Sequence, residues 1–223
     1  MIDEYQRRLP FVRKPVSAYQ YIYKIKPVIS KIKFSQLKID DIAKYMDISK
    51  VTLYKHFSSK DEIIQQVVEY SINFLQEADT VVNDDSVPYI ERFQRTFLQS
   101  LMSVIYFTDL FLDDLKEFYP HHFEKLAAAQ HNRNKNLQAF FEAGMDRNIF
   151  NRLNAVLFML QDDAVLRRFM EPSFSIQYDV TLKQAIIDFY RMKQYQLLKP
   201  EYLDTVDNSI IDEWVVKILQ NIS

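Results

Sequence analysis

The sequence has no cysteine, a single glycine and no long apolar run. Without cysteine the chain forms no disulfide, thiolate metal site or cysteine nucleophile. One glycine, Gly144, is too few for the turns of an all-β protein or the phosphate loops of a dinucleotide-binding fold. No stretch of eighteen apolar residues is present to span a membrane. We therefore expect an all-α fold with no membrane partner.

Charge is distributed unevenly along the chain. Residues 1–60 contain 13 Lys and Arg against 5 Asp and Glu, whereas the remainder contains 15 against 25. A basic N-terminal part joined to an acidic body favours a polyanionic partner for the first part alone. A solvated basic face without any partner is the alternative. The first residues also lack the apolar core of a signal peptide, so we expect a cytoplasmic protein.

Periodic apolar positions divide the chain into helices. Residues 1–16 read as a flexible basic arm, 17–76 as a small helical domain, and 86–223 as a larger helical domain. Pro27 predicts that the first helix is kinked or starts late. Helices of the larger domain are predicted at 87–106, 108–118, 121–143, 152–170, 176–198 and 206–221. Their breaks fall at Pro88, Pro120, Gly144 with Asn148, Pro172 and Pro200.

A short helix is predicted from Lys50 to Phe57, within the segment ISKVTLYKHFSSKDE. Ser49 is suited to cap its N-terminus, and Ser59 with Glu62 predicts a capping box for the following helix. At about 100° per residue, Leu53 and Phe57 share one side and the polar residues face away. A helix of two turns is marginal in water, so these two apolar side chains must anchor it. Two short helices across a tight turn are typical of a helix-turn-helix.

The segment IDDIAKYMDISKVTLYKHFSSKDEII resembles the DNA-binding segment of the tetracycline-repressor (TetR-like) family of bacterial transcription regulators. The resemblance is specific over residues 35–65, and EAGMDRNIFN is similar to a glycine-centred break in the family's ligand-binding domain. It implies a three-helix DNA-binding domain followed by a helical effector-binding and dimerisation domain. The residues that it assigns to double-stranded DNA are Lys50, Val51, Thr52, Tyr54, Lys55, His56 and Lys60.

Within that resemblance, Lys50, Val51 and Thr52 correspond to positions at bases and nearby phosphates. Tyr54 and His56 correspond to phosphate contacts, and Lys55 has the reach for either. Lys60 would meet the DNA backbone together with the N–H groups of its own helix. Alternatively, Tyr54 and His56 are ordinary half-buried residues and Lys60 is a solvated charge.

Three positions depart from the family's pattern. Lys38 stands where the family often has a threonine cap, so that cap is lost. Asp47 replaces the usual turn glycine and is expected to tolerate a left-handed backbone. Val51 replaces a small residue and restricts how closely the helix approaches DNA. Asp40 and Asp41 also place negative charge near the phosphates.

Other functions find less support in the sequence. His121, His122 and His131 lie near Asp113, Asp114 and Glu117, but Pro120 separates the two groups and no recognised ligand spacing appears. No phosphate loop or serine elbow is present, so we expect neither an enzyme nor a cofactor. Most of the aromatic residues are expected in the core, and some could surround an apolar effector. They are Phe93, Phe97, Tyr106, Phe107, Phe111, Phe118, Tyr119, Phe140 and Phe141.

We therefore expect a homodimeric, ligand-responsive transcriptional regulator, usually a repressor, that binds a near-palindromic operator. The dimer is predicted through helices 152–170 and 176–198. The apolar positions expected at its interface are Val156, Leu160, Ile186, Phe189 and Tyr190. A small apolar effector would bind within residues 86–200. The alternative is a dimeric helical scaffold that binds a partner and no longer binds DNA.

Overall fold

The computed structural model describes residues 18–220, so the predicted basic arm at 1–16 lies outside the described residues. Within them the secondary structure is helical, apart from an isolated antiparallel bridge between Phe150 and Leu198. This agrees with the predicted all-α fold. The described residues form two compact units, 18–77 with 107–131 and 78–106 with 132–220. The domain limits predicted from the sequence stay a prediction. The division into compact units differs from them in one respect: residues 107–131 pack with the first unit.

The first unit contains the short N-terminal helices. Its elements are α1 (Tyr19–Ile29), a 3-10 turn (Phe34–Gln36), α2 (Ile39–Tyr45), α3 (Lys50–His56), the larger part of α4 (Lys60–Val82), α6 (Asp109–Phe118) and the start of α7 (Pro120–Asp146). Side chains with 0 % exposure from α1, α2, α3 and α4 form its interior: Ile22, Ile25, Ile42, Leu53 and Ile63. This shared interior holds the short helices in place.

Pro27 lies inside α1 rather than before it. The helix begins at Tyr19, so a late start is not observed. The carbonyl oxygen of Pro27 accepts a hydrogen bond from Ser30 Oγ at 2.9 Å. Pro27 lies in the last turn of α1, where its missing N–H removes one backbone hydrogen bond to the preceding turn.

The second unit is built on aromatic packing. Its elements are the end of α4, α5 (Tyr89–Tyr106), the remainder of α7, α8 (Ala155–Phe169), α9 (Phe174–Tyr178), α10 (Leu182–Leu197), α11 (Pro200–Leu203) and α12 (Ser209–Gln220). Phe93 on α5 stacks on Tyr190 of α10 at 5.7 Å between ring centroids. Phe141 on α7 meets Phe158 on α8 edge-on at 5.1 Å. Large aromatic rings therefore join four helices into one core.

Most of the aromatic side chains predicted for the core are buried in their own unit. The buried ones are Phe93, Phe97, Phe107, Phe111, Phe140 and Phe141. Tyr106 and Tyr119 are half-buried, and Phe118 is exposed. Ile186, Phe189 and Tyr190 are also buried within the second unit, so their predicted place at a dimer interface is wrong. They face inward because α10 uses this side to close the aromatic core.

The helix predicted at 176–198 is two helices in the structure. Asp179 adopts a left-handed backbone with φ 50°, which ends α9. Thr181 Oγ1 then accepts a hydrogen bond from Gln184 N at 3.2 Å and caps α10. Apolar periodicity continued across this gap, so the sequence pattern alone did not reveal the break.

The helix predicted at 121–143 ends three residues later than expected, and Asn148, one of the two residues named for the predicted break, lies just beyond its end. Helix α7 continues through Gly144 to Asp146, and the left-handed residue is Asn148 with φ 58°. A Cβ atom on Gly144 would lie 2.2 Å from Cδ2 of the Phe150 ring. Glycine is required here because the chain folds Phe150 back onto the helix, not because the helix ends.

Candidate nucleic-acid interface

Helix α3 is held by the two side chains that the sequence assigned to this role. Leu53 is 0 % exposed and Phe57 is 1 % exposed. At the N-terminus Ser49 Oγ accepts a hydrogen bond from Thr52 N at 3.0 Å, as predicted. A seven-residue helix would be marginal in isolation, so this packing and this cap determine its position.

Besides Lys50, the outer side of α3 carries three exposed candidates. Val51 is 68 % exposed and Tyr54 is 51 % exposed. Lys55 is exposed on the same outer side. A methyl pair, a phenol and an ammonium are therefore open to a partner, and these groups suit thymine methyl and phosphate contacts.

Thr52 and His56 are half-buried rather than fully open. The Thr52 hydroxyl lies 2.9 Å from Ser49 Oγ, which uses part of its hydrogen-bonding capacity. The His56 ring packs on Tyr21 of α1 at 5.0 Å between centroids. Both side chains are thus oriented by the protein before any partner arrives.

Lys50 is paired with a carboxylate of the preceding helix. Its Nζ lies 2.9 Å from Asp40 Oδ1. The hydrogen bond to Asp40 and the attraction of its charge raise the pKa of Lys50. Since both side chains are exposed, this is a weak surface pair that a phosphate could replace.

Lys60 points into its own unit. Its Nζ donates to the backbone oxygen of Ser35 at 2.7 Å and lies 5.1 Å from the centre of the Phe34 ring. Burial lowers the pKa of Lys60, and the nearby charge of Asp114 opposes that shift. In this conformation the ammonium holds the 3-10 turn and does not face outward, which the sequence pattern did not predict.

The N-terminus of α4 is capped largely as predicted. Ser59 Oγ accepts a hydrogen bond from Glu62 N at 3.1 Å. The Glu62 carboxylate reaches back to Ser58 rather than to Ser59, accepting from Ser58 N and Ser58 Oγ at 2.6 Å each. These bonds lower the pKa of Glu62.

Two of the departures from the family's pattern, Lys38 and Asp47, lie just before and just after α2. Asp47 adopts the left-handed conformation with φ 58° and pairs with Lys24 at 3.1 Å. The Lys38 ammonium cannot accept a hydrogen bond and therefore supplies no cap. Instead, Asp41 accepts from Lys38 N at 3.0 Å. The helix-turn-helix keeps its form despite these departures.

The first unit also uses residues from after the predicted domain boundary. Asp114 on α6 accepts from Ser35 N at 2.9 Å and from Ser35 Oγ, and Thr108 Oγ1 donates to Ser30 O at 2.9 Å. His122 on α7 lies 3.6 Å from Asp61 of α4. Residues 18–220 contain no group of three or more His, Cys, Asp or Glu side chains able to hold a metal ion.

The segment that contains the helix-turn-helix matches a known protein family. The model of the bacterial regulatory proteins of the tetR family matches residues 28–67, which include α2 and α3. Over residues 28–67 the chain is similar to this family. The resemblance predicted from the helix-turn-helix residues is thereby confirmed. No curated protein matches the sequence significantly.

Solved structures extend the likeness in fold beyond the tetR-family segment. The regulator KstR2 of Mycobacterium tuberculosis has a TM-score of 0.60 at 15 % identity, over 84 % of this chain and 97 % of its own. A putative transcriptional regulator from Saccharomonospora viridis, in complex with choline, has a TM-score of 0.61 at 12 % identity, over 82 % of this chain and 98 % of its own. AibR in complex with isovaleryl coenzyme A and operator DNA has a TM-score of 0.54 at 12 % identity, over 78 % of this chain and 96 % of its own. At these identities the likeness concerns the fold.

Across residues 18–220, no helix is long and apolar enough to cross a lipid bilayer.

Proposed function

We propose that this chain is a ligand-responsive transcriptional repressor that binds a near-palindromic operator as a homodimer. Two copies of α3 would enter successive major grooves about 34 Å apart. The residues proposed to contact DNA are Lys50, Val51, Thr52, Tyr54, Lys55 and His56. Lys60, the remaining residue predicted from the resemblance, would have to leave the backbone oxygen of Ser35 before it could join them. The proposal includes no enzymatic reaction and no cofactor.

The observation that carries this proposal is the placement of α3. Its apolar side is anchored by Leu53 and Phe57, while Val51, Tyr54 and Lys55 stand exposed on the outer side. Exposed groups on a short, fixed helix can meet base edges and phosphates without rearranging the core. Lys50 can join them once a phosphate displaces Asp40.

Dimerisation is proposed through α8 and α10, which pack against each other. Two of the positions predicted from the sequence, Val156 and Leu160, are 53 % and 57 % exposed. Leu157 beside them is 58 % exposed, and α10 adds Met192 and Tyr195 at 59 % and 69 %. Large apolar side chains exposed on neighbouring helices favour burial against a second copy.

An effector is proposed to act from within residues 86–200. It would change the separation of the two α3 helices by binding one arrangement more tightly than the other. The structure of AibR with isovaleryl coenzyme A and operator DNA supports this, because it pairs a small molecule and DNA on a chain of this fold.

A second candidate is a dimeric scaffold that no longer binds DNA. Three cations of the DNA-facing region are engaged by the chain itself: Lys24 with Asp47, Lys50 with Asp40 and Lys60 with Ser35. The two carboxylates offset the charges of Lys24 and Lys50, and the hydrogen bond to Ser35 draws Lys60 inward, so less positive charge is available to phosphates.

Fluorescence polarisation with random duplex DNA at 50 and 200 mM salt separates the two candidates. A DNA-binding regulator releases counterions from the phosphates, so its affinity should fall by roughly a hundredfold or more over this range. Binding that is absent at both salt concentrations would reject the regulator and favour the scaffold.

A further inference from the structure

A cleft in the second unit lies between α10, α11 and the residues that lead into α12. Its volume is about 520 Å³, within the range of about 300–1,000 Å³ that is usual for small-molecule sites. The polar side chains that line it are Arg191, Gln194, Asp204 and Asn208. The rest of its wall is formed by Tyr195, Pro200 and Leu203. The cleft therefore combines both signs of charge with some apolar surface.

The two charged groups of the cleft have opposite signs and are not paired. Across residues 18–220, neither Arg191 nor Asp204 forms an ion pair or a side-chain hydrogen bond. By contrast, Lys193, two residues further along α10, lies 2.9 Å from Asp162. A guanidinium and a carboxylate that line the same cleft without meeting each other leave both charges available to a ligand.

The two amide side chains of the cleft also lack partners. Gln194 is only 5 % exposed, yet its side-chain amide makes no hydrogen bond to the described residues. Asn208 Oδ1 is buried and has no hydrogen-bond partner among them either. A buried polar group without a partner costs free energy, and native proteins rarely leave one unpaired. Exposed charges alone would be solvated side chains, but two sheltered amides beside them indicate that a ligand supplies the missing hydrogen bonds.

We propose that this cleft binds a small zwitterion of the amino-acid type with an apolar side chain. Arg191 holds the carboxylate, which a guanidinium can bind through two parallel hydrogen bonds. Asp204 accepts from the ammonium group. The amides of Gln194 and Asn208 can donate or accept, as each end of the ligand requires. Tyr195 offers a ring against which the apolar side chain packs.

This site is separate from the surfaces used in the proposed function. Helix α3 belongs to the first unit, whereas the whole cleft belongs to the second. Of the residues that line the cleft, only Tyr195 is also among the apolar positions proposed for dimerisation. Binding of a zwitterion here requires no DNA, so the inference goes beyond the proposed function.

Calorimetric titration of the full chain with L-phenylalanine tests the assignment. Phenylalanine is expected to saturate one site per chain. Hydrocinnamate has the same skeleton without the ammonium, and phenethylamine has it without the carboxylate. Each analogue should bind about tenfold or more weakly, because one charge-assisted interaction is lost.

Substitutions in the cleft test which side chains hold the two charges. R191Q and D204N should each weaken phenylalanine binding about tenfold or more, for the same reason. K183Q removes a cation from α10 and E201Q removes a carboxylate from α11, and neither residue lines the cleft. Both control variants should leave the affinity unchanged. All four substituted side chains are exposed, so the variants are expected to fold.

Phenylalanine that does not saturate one site, or that binds no more tightly than either analogue, would overturn the proposal. So would an affinity of R191Q or D204N equal to that of its control variant. The titration contains no DNA, so a chain that binds phenylalanine in this way but never binds DNA would refute only the proposed function.

Discussion

The pair between Asp40 and Lys50 shows how single residues set the charge that α3 offers to DNA. Asp40 neutralises a lysine that the sequence pattern placed at the bases, and its Oδ1 lies 2.9 Å from Lys50 Nζ. An exposed pair of this kind contributes little to stability, so it does not hold the fold together. Its effect is on the potential that an approaching phosphate meets.

Replacing Asp40 by Asn should therefore strengthen DNA binding. The change frees Lys50 and removes one negative charge from each α3 surface, so we expect about threefold to tenfold tighter binding at low salt. Polarisation at 50 mM salt measures the gain. D113N removes the same charge from an exposed position on α6 and serves as the control. Identical affinities for the two variants would show that Asp40 does not restrain Lys50.

Gly144 supports a second prediction at this scale. In a helix, alanine is favoured over glycine by roughly 1 kcal/mol. At Gly144, however, the new Cβ would lie 2.2 Å from the ring of Phe150, which is 0 % exposed and packed against Phe140 and Phe141. The clash with the Phe150 ring should outweigh the helix preference for alanine, so G144A should lower the free energy of unfolding by about 1–3 kcal/mol.

Urea denaturation measures the cost of G144A. The matched control is a double-mutant cycle with F150L. The smaller side chain relieves the clash, so F150L should cost less free energy in the G144A background than alone. Additive effects would mean that the ring of Phe150 is not what excludes a side chain at Gly144.

At the scale of elements, α3 depends on its neighbours for its position. L53A removes the 0 %-exposed anchor and should lower the free energy of unfolding by about 2–5 kcal/mol. V51A truncates a 68 %-exposed residue of the same helix and should change the free energy of unfolding by less than about 0.5 kcal/mol. Chemical denaturation followed by circular dichroism compares them. Equal losses would contradict the assignment of inner and outer sides.

The sequence was sufficient for what depends on local chemistry. The helical angles placed Leu53 and Phe57 inward, and the cap chemistry identified Ser49. It was insufficient where side chains far apart in the chain meet. The inward turn of Lys60 depends on Ser35 and Asp114, which only packing brings together. The same reason hid the division of 176–198, since the left-handed Asp179 interrupts an unbroken apolar pattern.

On the scale of the whole molecule, the apolar positions exposed on α8 and α10 bear on assembly. L160E places a charge at a 57 %-exposed leucine of the proposed interface, so it should convert dimer to monomer in sedimentation velocity. F118E alters a 52 %-exposed aromatic on α6 and should leave the dimer intact. A monomeric unaltered chain, or two variants with the same assembly state, would exclude this surface as the interface.

The central claim is that the outer side of α3 meets DNA. The direct measurement is polarisation of a fragment selected from genomic DNA, comparing the unaltered chain with Y54A/K55A. Because both side chains are exposed, we expect the variant to fold normally and to bind at least about tenfold more weakly, with a shallower salt dependence. Unchanged affinity and unchanged salt dependence in a folded variant would contradict the account.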